Sequence, residues 1–399
     1  MAPGRGPAAP AGSLRPWRKD PLVFGAPYIG KEERREIEAC LDSGWIGRGP
    51  RVQLFEERFR RYLGAPAAAV SSGTAALHLA IRELGLPAGS EVITSAMTFC
   101  ATANVIVNAG LKPVFADCDP LTWNITPESI REKVTPRTRA VVPVHFAGRP
   151  CDMPGIMKLA RAHRLRVVED CAHAIESTIG GRHCGTFGDF GCFSFYVTKN
   201  LTTVEGGMVV CPTGDQAEHI RRLALHGMSK DAWGRFSEGA LGRYEVLEPG
   251  FNYSLTDLAA SIGIHQLARL PRLWSRRRRI WRYYCRALAA LPLVLPSPVP
   301  PGVRHAYHLY TCLVDDRRTT VRRDEILRAL HRLRIGCGVH YAPLHLQPYY
   351  RRSLGGRRGD LPHAEQIGAR TFSIPLSGAM TDEDAQDVVR ALRMILGGS

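Results

Sequence analysis

The sequence predicts an α/β protein in which helices cover a mainly parallel sheet, followed by a smaller α+β unit at the C-terminal end. Between residues 65 and 212, short β-rich runs alternate with amphipathic helical segments, as they do where crossover helices join parallel strands. The chain has 399 residues, of which 45% are apolar and 23% charged. This length and composition are typical of a soluble globular protein with two or three compact units.

The strands of the first unit are predicted from runs rich in β-branched and aromatic residues. A further strand ends near Ser71, and the apolar spacing after Thr74 predicts the helix that follows it. A second crossover helix follows Pro154, and an earlier helix ends at Gly64. The six runs are EVITSAM, PVFADCD, AVVPVHF, RVVEDCA, CFSFYVT and GGMVVCP.

Beyond the sheet, the sequence predicts two successive helices. Thr256 caps the first. The second is a long basic helix from about 272 to 290, in which Arg276 to Arg279 are expected to form a solvated face. The Pro-rich stretch 291–303 then ends the helical pattern.

These patterns predict a division into domains. Residues 1–20 are rich in Pro, Gly and Ala and predict a disordered tail. The sheet unit takes residues 21–290, the Pro-rich connection 291–303 and the α+β unit 304–399. The α+β unit is predicted to hold the strand run HLYTCLV, a helix with Ile326, Leu330 and Leu333, and a last helix opened by the capping box Thr381 to Asp384.

The formal net charge is +16, carried by 46 Arg and seven Lys against 37 acidic residues. Because the arginines are dispersed along the chain, this charge is compatible with a small anionic substrate and does not by itself indicate nucleic acid. No run approaches the ~18 consecutive apolar residues of a membrane helix, and the first twenty residues lack an apolar signal core. A cytoplasmic protein is therefore expected, and the eleven cysteines, which form no CxxC pair, are expected to be reduced core residues.

Three common kinds of site are disfavoured. The segment GAPYIGKE has Walker spacing, but Glu32 stands where a Ser or Thr would hold magnesium. No GxGxxG follows a strand, so a dinucleotide-binding fold is not indicated. No metal is expected. The candidate zinc ligands Cys171, His173, His183 and Cys184 do not form two convincing ligand pairs.

Two segments place polar groups where a strand ends. In AVSSGTAALHLAI a strand turns into a helix at Gly73 and Thr74, whose N–H groups would hold a phosphate; a plain helix cap is the alternative. In RVVEDCAHA an apolar strand delivers Glu169 and Asp170 at its C-terminal end, where open parallel sheets bind ligands. A carboxylate buried there needs a cation, and a structural arginine is the alternative to a ligand. For His173, the alternative is a purely local hydrogen bond.

The third segment is GTFGDFGCFSFYVTKNLTTVEGGMVV, in which Lys199 follows an aromatic strand. A lysine in this setting loses solvation, and the lowered pKa makes its amine a nucleophile; a surface lysine in a turn is the alternative. A phosphate cradle, a strand-end carboxylate and an amine nucleophile are together what pyridoxal phosphate requires for its phosphate, ring nitrogen and aldehyde.

Several long motifs also occur in the order found in one family. They are SSGTAALHLA, EDCAHA, FGDFGCFSFYVTKNLTTVEGGMVV, LHGMSKDAW, PGFNYSLTDLAASIGIHQL and GVHYAPLHLQPYY. From about Tyr28 to Leu396 the chain resembles the DegT/StrS-type sugar-nucleotide aminotransferases, which are pyridoxal-phosphate enzymes of fold type I. Within that family it is most similar to enzymes that aminate C4 of a nucleotide-linked 4-keto sugar, such as UDP-4-amino-4-deoxy-L-arabinose aminotransferase.

The resemblance implies a role for each matching residue. Lys199 matches the Schiff-base lysine, Asp170 the partner of the pyridinium nitrogen, and Phe99 the aromatic ring that stacks on the cofactor. His173 matches a position on the cofactor side, where relatives carry His or Gln. The phosphate-binding positions are matched by Gly73, Thr74 and Ser194.

In this family the active site lies at a homodimer interface, which implies that a partner chain supplies the segment GFNYSL with Asn252 and Ser254. Relatives often carry Asn or Arg where this chain has Ser254, which predicts a shorter or water-bridged phosphate contact. The motif GWIGRGP replaces the commoner GWITTGP and puts Gly47 and Arg48 near the expected sugar pocket. Four residues are candidates for binding the nucleotide sugar: Arg48, His340, Tyr341 and His345. For each of them, a purely structural role is the alternative.

The resemblance implies transamination in two stages, with L-glutamate expected as the amino donor and the keto sugar as the acceptor. Lys199 would carry the proton between the reacting carbon atoms, while Asp170 would keep the cofactor ring an electron sink. The alternatives are amination at C3, a sugar dehydratase, a regulatory protein without turnover, and DNA binding. Lys199 argues against a dehydratase, in which histidine usually replaces the lysine, and DNA binding depends only on the net charge.

Overall fold

A computed structural model describes residues 15–229 and 244–397. Within these ranges the strands are β1 (Ala67–Val70), β2 (Glu91–Ser95), β3 (Lys112–Ala116), β4 (Thr138–Val142), β5 (Arg166–Asp170), β6 (Thr178–Ile179), β7 (Arg182–His183), β8 (Phe190–Ser194), β9 (Gly207–Val210), β10 (Leu293–Val294), β11 (Val303–Arg304), β12 (Tyr310–Val314) and β13 (Thr371–Ile374). The α-helices are α1 (Lys31–Asp42), α2 (Pro50–Leu63), α3 (Gly73–Glu83), α4 (Cys100–Asn108), α5 (Pro127–Arg131), α6 (Met153–His163), α7 (Gly214–Ala224), α8 (Asp257–Ala287), α9 (Arg323–Arg332), α10 (Pro348–Leu354), α11 (Pro362–Arg370) and α12 (Asp382–Leu396).

In the described part of the chain, the central sheet has seven strands in the order β1-β9-β8-β5-β4-β2-β3. Every neighbouring pair from β8 to β3 is parallel, while β9 runs antiparallel to both β1 and β8. The predicted α/β fold with a mainly parallel sheet is therefore confirmed. The register sets Asp170 opposite Cys192, so the end of β5 lies beside β8.

Alternate residues of β1 show how helices cover both faces of this sheet. Ala68 and Val70 pack in the core that α3 and α7 close, whereas Ala69 packs in the core that contains Phe55 and Phe59 of α2. Because side chains alternate between the two faces of a strand, covering both faces buries all four residues of β1. The central strands are for this reason mainly apolar, with exposed charged residues such as Lys112 and Arg166 at their starts, and this pattern made them visible in the sequence.

The two helices predicted after Thr256 are in fact one helix of 31 residues, α8, so that prediction was wrong. The predicted cap is present, because the hydroxyl of Thr256 accepts a hydrogen bond from the N–H of Ala259 at 3.2 Å. Pro271 lies inside the helix, where a missing N–H and ring clash cost about 3 kcal/mol. The helix continues because both halves are buried, Leu267 in the sheet-side core and Ile280 in the C-terminal core.

The basic run on α8 does not form a single solvated face, contrary to prediction. Arg276 and Arg279 pair with the exposed Asp382, but Arg277 is buried and pairs with the buried Glu176. Four successive helical residues point around most of the circumference, so at least one of them faces inward on a packed helix. None of the helices in the described ranges combines the length and the apolar character that crossing a bilayer requires.

The C-terminal unit is built on the antiparallel sheet β10-β12-β13, against which α9 and α12 pack. Its core includes Ile280 and Trp281 of α8, so the unit recruits residues from before the predicted connection at 291–303. The capping box predicted for the last helix is confirmed, because the hydroxyl of Thr381 accepts from the N–H of Asp384.

The N-terminal segment also packs on this unit. Leu22 joins its core, and the N–H of Leu22 donates to the carbonyl of Arg334 at 2.8 Å. Arg18 forms ion pairs with Asp384 and Asp387 of α12. Residues 1–14 of the predicted tail lie outside the described residues, but the ordered contacts from residue 17 onward show that a tail reaching residue 20 is too long.

The eleven cysteines are unpaired thiols in the structure, and eight of them are buried. The other three, Cys100, Cys285 and Cys337, are half-buried. Burial raises the pKa of several of the buried thiols, for example that of Cys211 to about 12, so those thiols stay protonated and act as small apolar side chains.

Candidate active site

A cavity of about 650 Å³ opens at the carboxyl ends of the central strands. Residues that follow β1, β2, β5 and β8 line it, together with the segment 339–341 of the C-terminal unit. This is the edge at which open parallel sheets bind ligands. The structure brings together here the predicted site residues Gly73, Thr74, Phe99, Asp170, His173, Ser194, Lys199, His340 and Tyr341.

The N-terminus of α3 forms one end of the cavity. Ser72 caps the helix, because its hydroxyl accepts a hydrogen bond from the N–H of Ala75 at 3.0 Å, and the first N–H groups of the helix point outward along its axis. Gly73 leaves no room for a side chain, since a Cβ there would lie 2.7 Å from the Cβ of Ser194. The result is a narrow cradle of backbone N–H groups with the hydroxyls of Thr74 and Ser194 beside them, which suits a phosphate.

Lys199 follows β8 and is half-buried in the cavity wall. Burial lowers the pKa of its amine from 10.5 to about 8, although the carboxylate of Asp170 opposes this shift. Near neutral pH a substantial fraction of the amine is therefore the neutral nucleophile, compared with about one part in a thousand for an exposed lysine. The alternative of a solvated surface lysine is not supported.

Asp170 ends β5 and is buried. Its carboxylate accepts hydrogen bonds from the hydroxyl of Thr102 at 2.8 Å and from the N–H of Ala172 at 3.1 Å. Burial raises the pKa of Asp170, and these hydrogen bonds and the charge of Lys199 oppose the rise. No arginine in the described ranges forms an ion pair with Asp170, so a cationic ring nitrogen in the cavity would stabilise its charged form.

Histidine rings line part of the cavity wall. The Nδ1 atom of His173 accepts a hydrogen bond from the N–H of Ala147 at 3.3 Å, and its Nε2 atom lies 3.3 Å from the hydroxyl of Tyr341. Burial, with a further contribution from Lys199, lowers the pKa of His173 well below its ordinary value and that of His340 to about 4. Both rings therefore stay neutral at physiological pH.

Phe99 presents an aromatic ring to the cavity and is 59% exposed. Its ring centroid lies 6.3 Å from that of Tyr341. An aromatic face that is left open in a cavity, rather than packed in a core, offers a stacking surface for a flat ligand. Together with the cradle, the carboxylate and the amine, this surface fits pyridoxal phosphate.

Two residues predicted to bind the nucleotide sugar lie elsewhere. Arg48 lines a second cavity, of about 620 Å³, where its guanidinium lies 3.4 Å from Glu56. His345 is buried with its Nε2 atom 3.0 Å from the carboxylate of Glu365. After Pro343 the chain enters a short 3₁₀ turn, which carries His345 away from the cavity. This geometry does not support contact between these two side chains and a sugar in the chain's own cavity.

Asn252 and Ser254 also lie outside this cavity. The hydroxyl of Ser254 donates to the carbonyl of Ala224 at 3.2 Å, and Asn252 is exposed beside Leu225. Neither residue lines the chain's own site. Their predicted contact with a cofactor therefore requires a second chain and stays a prediction.

Three residues at this site have only weak signals in the sequence. Ser72 precedes a glycine at the start of an apolar helix, which is an N-cap signal. Thr102 is a hydroxyl on the apolar helix after Phe99, and His308 is a polar ring at the start of the strand run HLYTCLV. None of these patterns reveals a contact with a distant part of the chain. The structure does, because the hydroxyl of Thr102 donates a hydrogen bond to Asp170, which lies 68 residues further along the chain.

A buried cluster of possible metal ligands lies next to β5. His145, Glu169 and Cys184 offer ligand atoms within 4.8 Å of one another. However, the N–H of Cys151 donates to Nδ1 of His145, so the ring proton lies on Nε2, which donates to Glu169 at 3.1 Å. Glu169 also accepts three backbone N–H groups from residues 185–188. Both ring nitrogens of His145 are thus occupied, so the ring has no lone pair with which to bind a metal. The hydrogen bonds of Glu169 instead attach the loop before β8 to strand β5.

Residues 27–393 match the model of the DegT/DnrJ/EryC1/StrS aminotransferase family. The spore coat polysaccharide biosynthesis protein SpsC of Bacillus subtilis (strain 168) is 46% identical over 380 residues, which are 95% of this chain and 98% of SpsC. Spr1654 of Streptococcus pneumoniae in its PMP form matches with a TM-score of 0.87 and 30% identity, over 94% of this chain and 98% of that one. DesI, solved in the presence of its TDP-sugar product, matches with a TM-score of 0.84 and 32% identity, over 97% and 96% of the two chains. Spr1654 has also been solved in its PLP form, so pyridoxal phosphate is the cofactor that the cavity fits.

The geometry around Lys199 predicts that its amine anchors the cofactor. We expect borohydride reduction of the loaded protein, followed by peptide mapping, to place the pyridoxyl group on Lys199. Because the neutral amine is the nucleophile, the rate at which the cofactor-free chain captures pyridoxal phosphate should rise with pH to a midpoint near the lowered pKa of about 8.

Two variants control this experiment. Lys199→Ala should leave no reduced adduct, whereas Lys158→Ala, which changes an exposed lysine of α6, should alter neither the adduct nor the pH midpoint. A pyridoxyl group on another lysine, or a midpoint at the ordinary lysine value near 10.5, would contradict the assignment.

Proposed function

The chain belongs to the DegT/DnrJ/EryC1/StrS aminotransferase family, and we propose that it transfers the amino group of L-glutamate to a nucleotide-linked 4-keto sugar. Membership makes it a pyridoxal-phosphate-dependent sugar aminotransferase. The observation that carries the proposal is a single cavity that holds a nucleophilic Lys199, a buried Asp170 and a phosphate cradle. The TDP-sugar product of DesI supports a nucleotide-linked substrate.

When bound, pyridoxal phosphate supplies an electron sink for the negative charge that develops at the carbon next to the transferred nitrogen. Asp170, at the end of β5, would keep the ring nitrogen protonated, with Thr102 and Ala172 fixing the direction of its carboxylate. The α3 cradle would hold the phosphate, and Phe99 would stack on the ring. These contacts orient the reacting atoms before any proton moves.

Lys199 supplies the proton transfers. With a pKa of about 8, its Nζ atom exchanges protons readily near neutral pH. We propose that Nζ removes the proton from Cα of glutamate in the first half of the reaction and delivers a proton to C4 of the sugar in the second half. A regulatory protein without turnover would have no need for these proton transfers.

His340 and Tyr341 are proposed to contact the sugar. Both line the cavity from the C-terminal unit, and burial raises the pKa of the Tyr341 hydroxyl above its ordinary value, so the group stays a neutral hydrogen-bond donor. The Nδ1 atom of His340 lies 2.8 Å from the hydroxyl of Ser373, which fixes the ring in the wall. Neutral donors and acceptors of this kind suit sugar hydroxyls.

We also propose a homodimer with a shared active site. Large apolar side chains are exposed around the loop that carries Asn252 and Ser254. Ile46 is 51% exposed, and its carbonyl accepts a hydrogen bond from the N–H of Leu258. Its neighbour Trp45 is 47% exposed, and Val246, six residues before Asn252, is 64% exposed. Exposed apolar groups of this size are typical of an interface. A second copy docked there would bring Asn252 and Ser254 towards the cofactor phosphate of its neighbour.

The proposed substrate is tested by incubating the loaded chain with L-glutamate and a panel of nucleotide-linked keto sugars. We expect release of 2-oxoglutarate and a new C–N bond at C4, located by NMR, with no product from the Lys199→Ala variant. A C–N bond formed at C3 would overturn the 4-keto assignment. The absence of transfer to every keto sugar by a chain that holds its cofactor would overturn the nucleotide-sugar proposal.

The shared site is tested by mixing two inactive chains. Lys199→Ala lacks the amine, and Asn252→Asp puts a negative charge where the neighbour's phosphate is expected to lie. Mixed dimers should regain up to about a quarter of the normal activity, because half of the dimers are hybrids and each hybrid carries one intact site. Verified hybrids without activity, or a fully active monomer, would contradict the shared site.

A further inference from the structure

A chain of buried polar groups runs from α8 to the wall of the active-site cavity. Arg277 forms an ion pair with one oxygen of Glu176, and the other oxygen of Glu176 accepts a hydrogen bond from Nδ2 of Asn200 at 2.8 Å. The Oδ1 atom of Asn200 lies 3.0 Å from Nδ1 of His308. Asn200 directly follows Lys199, and His308 lines the cavity into which Lys199 projects.

The hydrogen-bond partners decide which way each group in this chain points. The Nδ2 atom of Asn200 donates both to Glu176 and to the carbonyl of Ala306 at 3.0 Å, and neither of those groups can donate in return. The oxygen of the Asn200 amide must therefore face His308, which obliges Nδ1 of His308 to carry the proton. The Nε2 atom of His308 is left with its lone pair.

His308 is held in place by contacts that do not involve its Nε2 atom. Its backbone N–H donates to the carbonyl of Ala147 at 3.1 Å, and its ring lies against that of His173, with centroids 4.4 Å apart. The two rings have opposite tautomers, because the N–H of Ala147 donates to Nδ1 of His173 and leaves the proton on Nε2. Burial and the charge of Lys199 lower the pKa of His308 well below its ordinary value, so it remains neutral.

We propose that His308 is a positioning residue for Lys199: once the Lys199 amine is released from the cofactor, a change of rotamer brings it to the unprotonated Nε2 of His308, which accepts a hydrogen bond from it. This inference rests on the proposed function, since only amino transfer requires a free Lys199 amine to carry a proton. A long lysine side chain has many rotamers, and a fixed acceptor selects among them. The groups that also face Lys199 are Asp170, His173, His340 and Tyr341.

The tautomer is tested directly on the full chain labelled with ¹⁵N-histidine, with and without pyridoxal phosphate. Long-range ¹H–¹⁵N spectra distinguish protonated from unprotonated ring nitrogens, and the His308 signals are assigned by their loss in His308→Gln or by NOE contacts to His173. We expect a protonated Nδ1 and an unprotonated Nε2. A proton on Nε2 of His308 in the unchanged chain would overturn the proposal without the use of any variant.

The effect on Lys199 is tested by the pH dependence of cofactor capture. An acceptor stabilises the ammonium form, so its loss lowers the pKa of the amine. Asn200→Ala, which frees His308 to change tautomer, and His308→Asn, which keeps a donor towards Asn200 but removes Nε2, should each lower the capture midpoint by about one pH unit, a tenfold change in proton affinity. The matched control is His305→Gln, which changes a buried histidine of the same segment that does not line the cavity.

An unchanged midpoint in both folded variants, or an equal shift in His305→Gln, would contradict the positioning role. Turnover with a keto sugar provides a separate readout, in which kcat should fall about tenfold with little change in KM, because the lysine acts after the substrate is bound. A chain with the expected tautomer and midpoint but without transfer to any sugar would leave this inference standing and refute the proposed function.

Discussion

The burial of an amine and a carboxylate in one cavity is the constraint on which the rest of the structure depends. Burial lowers the pKa of Lys199 and raises that of Asp170, so each group is pushed towards its neutral form. A ligand that brings a cation to the carboxylate and an aldehyde to the amine relieves both penalties. The parallel pairing of β5 with β8 places the two groups at the same edge of the sheet, and the cradle at α3 and the ring of Phe99 complete the outline of that ligand.

The packing around the cavity keeps Lys199 and Asp170 in place. Helix α8 runs from the sheet-side core into the C-terminal core, and the cavity lies where residues of the two units meet. Breaking a buried ion pair such as Arg277–Glu176 leaves an uncompensated charge and costs about 3–5 kcal/mol. Its position next to Asn200 gives it a second role, because the same carboxylate fixes the direction of the Asn200 amide behind Lys199.

Much of this arrangement could be predicted from the sequence, for reasons that also explain the errors. Strands covered on both faces are mainly apolar, so Asp170 could be recognised as a polar residue that ends one strand and Lys199 as a polar residue that follows another. The burial of Arg277 depends on Glu176, which lies 101 residues away. The continuation of α8 through Pro271 depends on two cores that local rules do not describe.

His345 shares a motif with Tyr341, but the turn after Pro343 separates the two side chains. Residues proposed to serve a partner chain, such as Asn252, leave no trace in the cavity of their own chain.

The most direct measurement of the central claim is the turnover of Asp170→Asn with the cofactor bound. This change keeps the size of the side chain and removes the charge that is proposed to hold the ring nitrogen protonated. We expect a fall of at least ~100-fold, or about 2.7 kcal/mol in the activation free energy. The matched control is Asp117→Asn, because Asp117 likewise follows a parallel strand but serves the backbone N–H groups of His363 and Ala364 outside the cavity. A control close to normal alongside a strongly impaired Asp170→Asn is the predicted result, whereas near-normal turnover of Asp170→Asn with its cofactor retained would contradict the account.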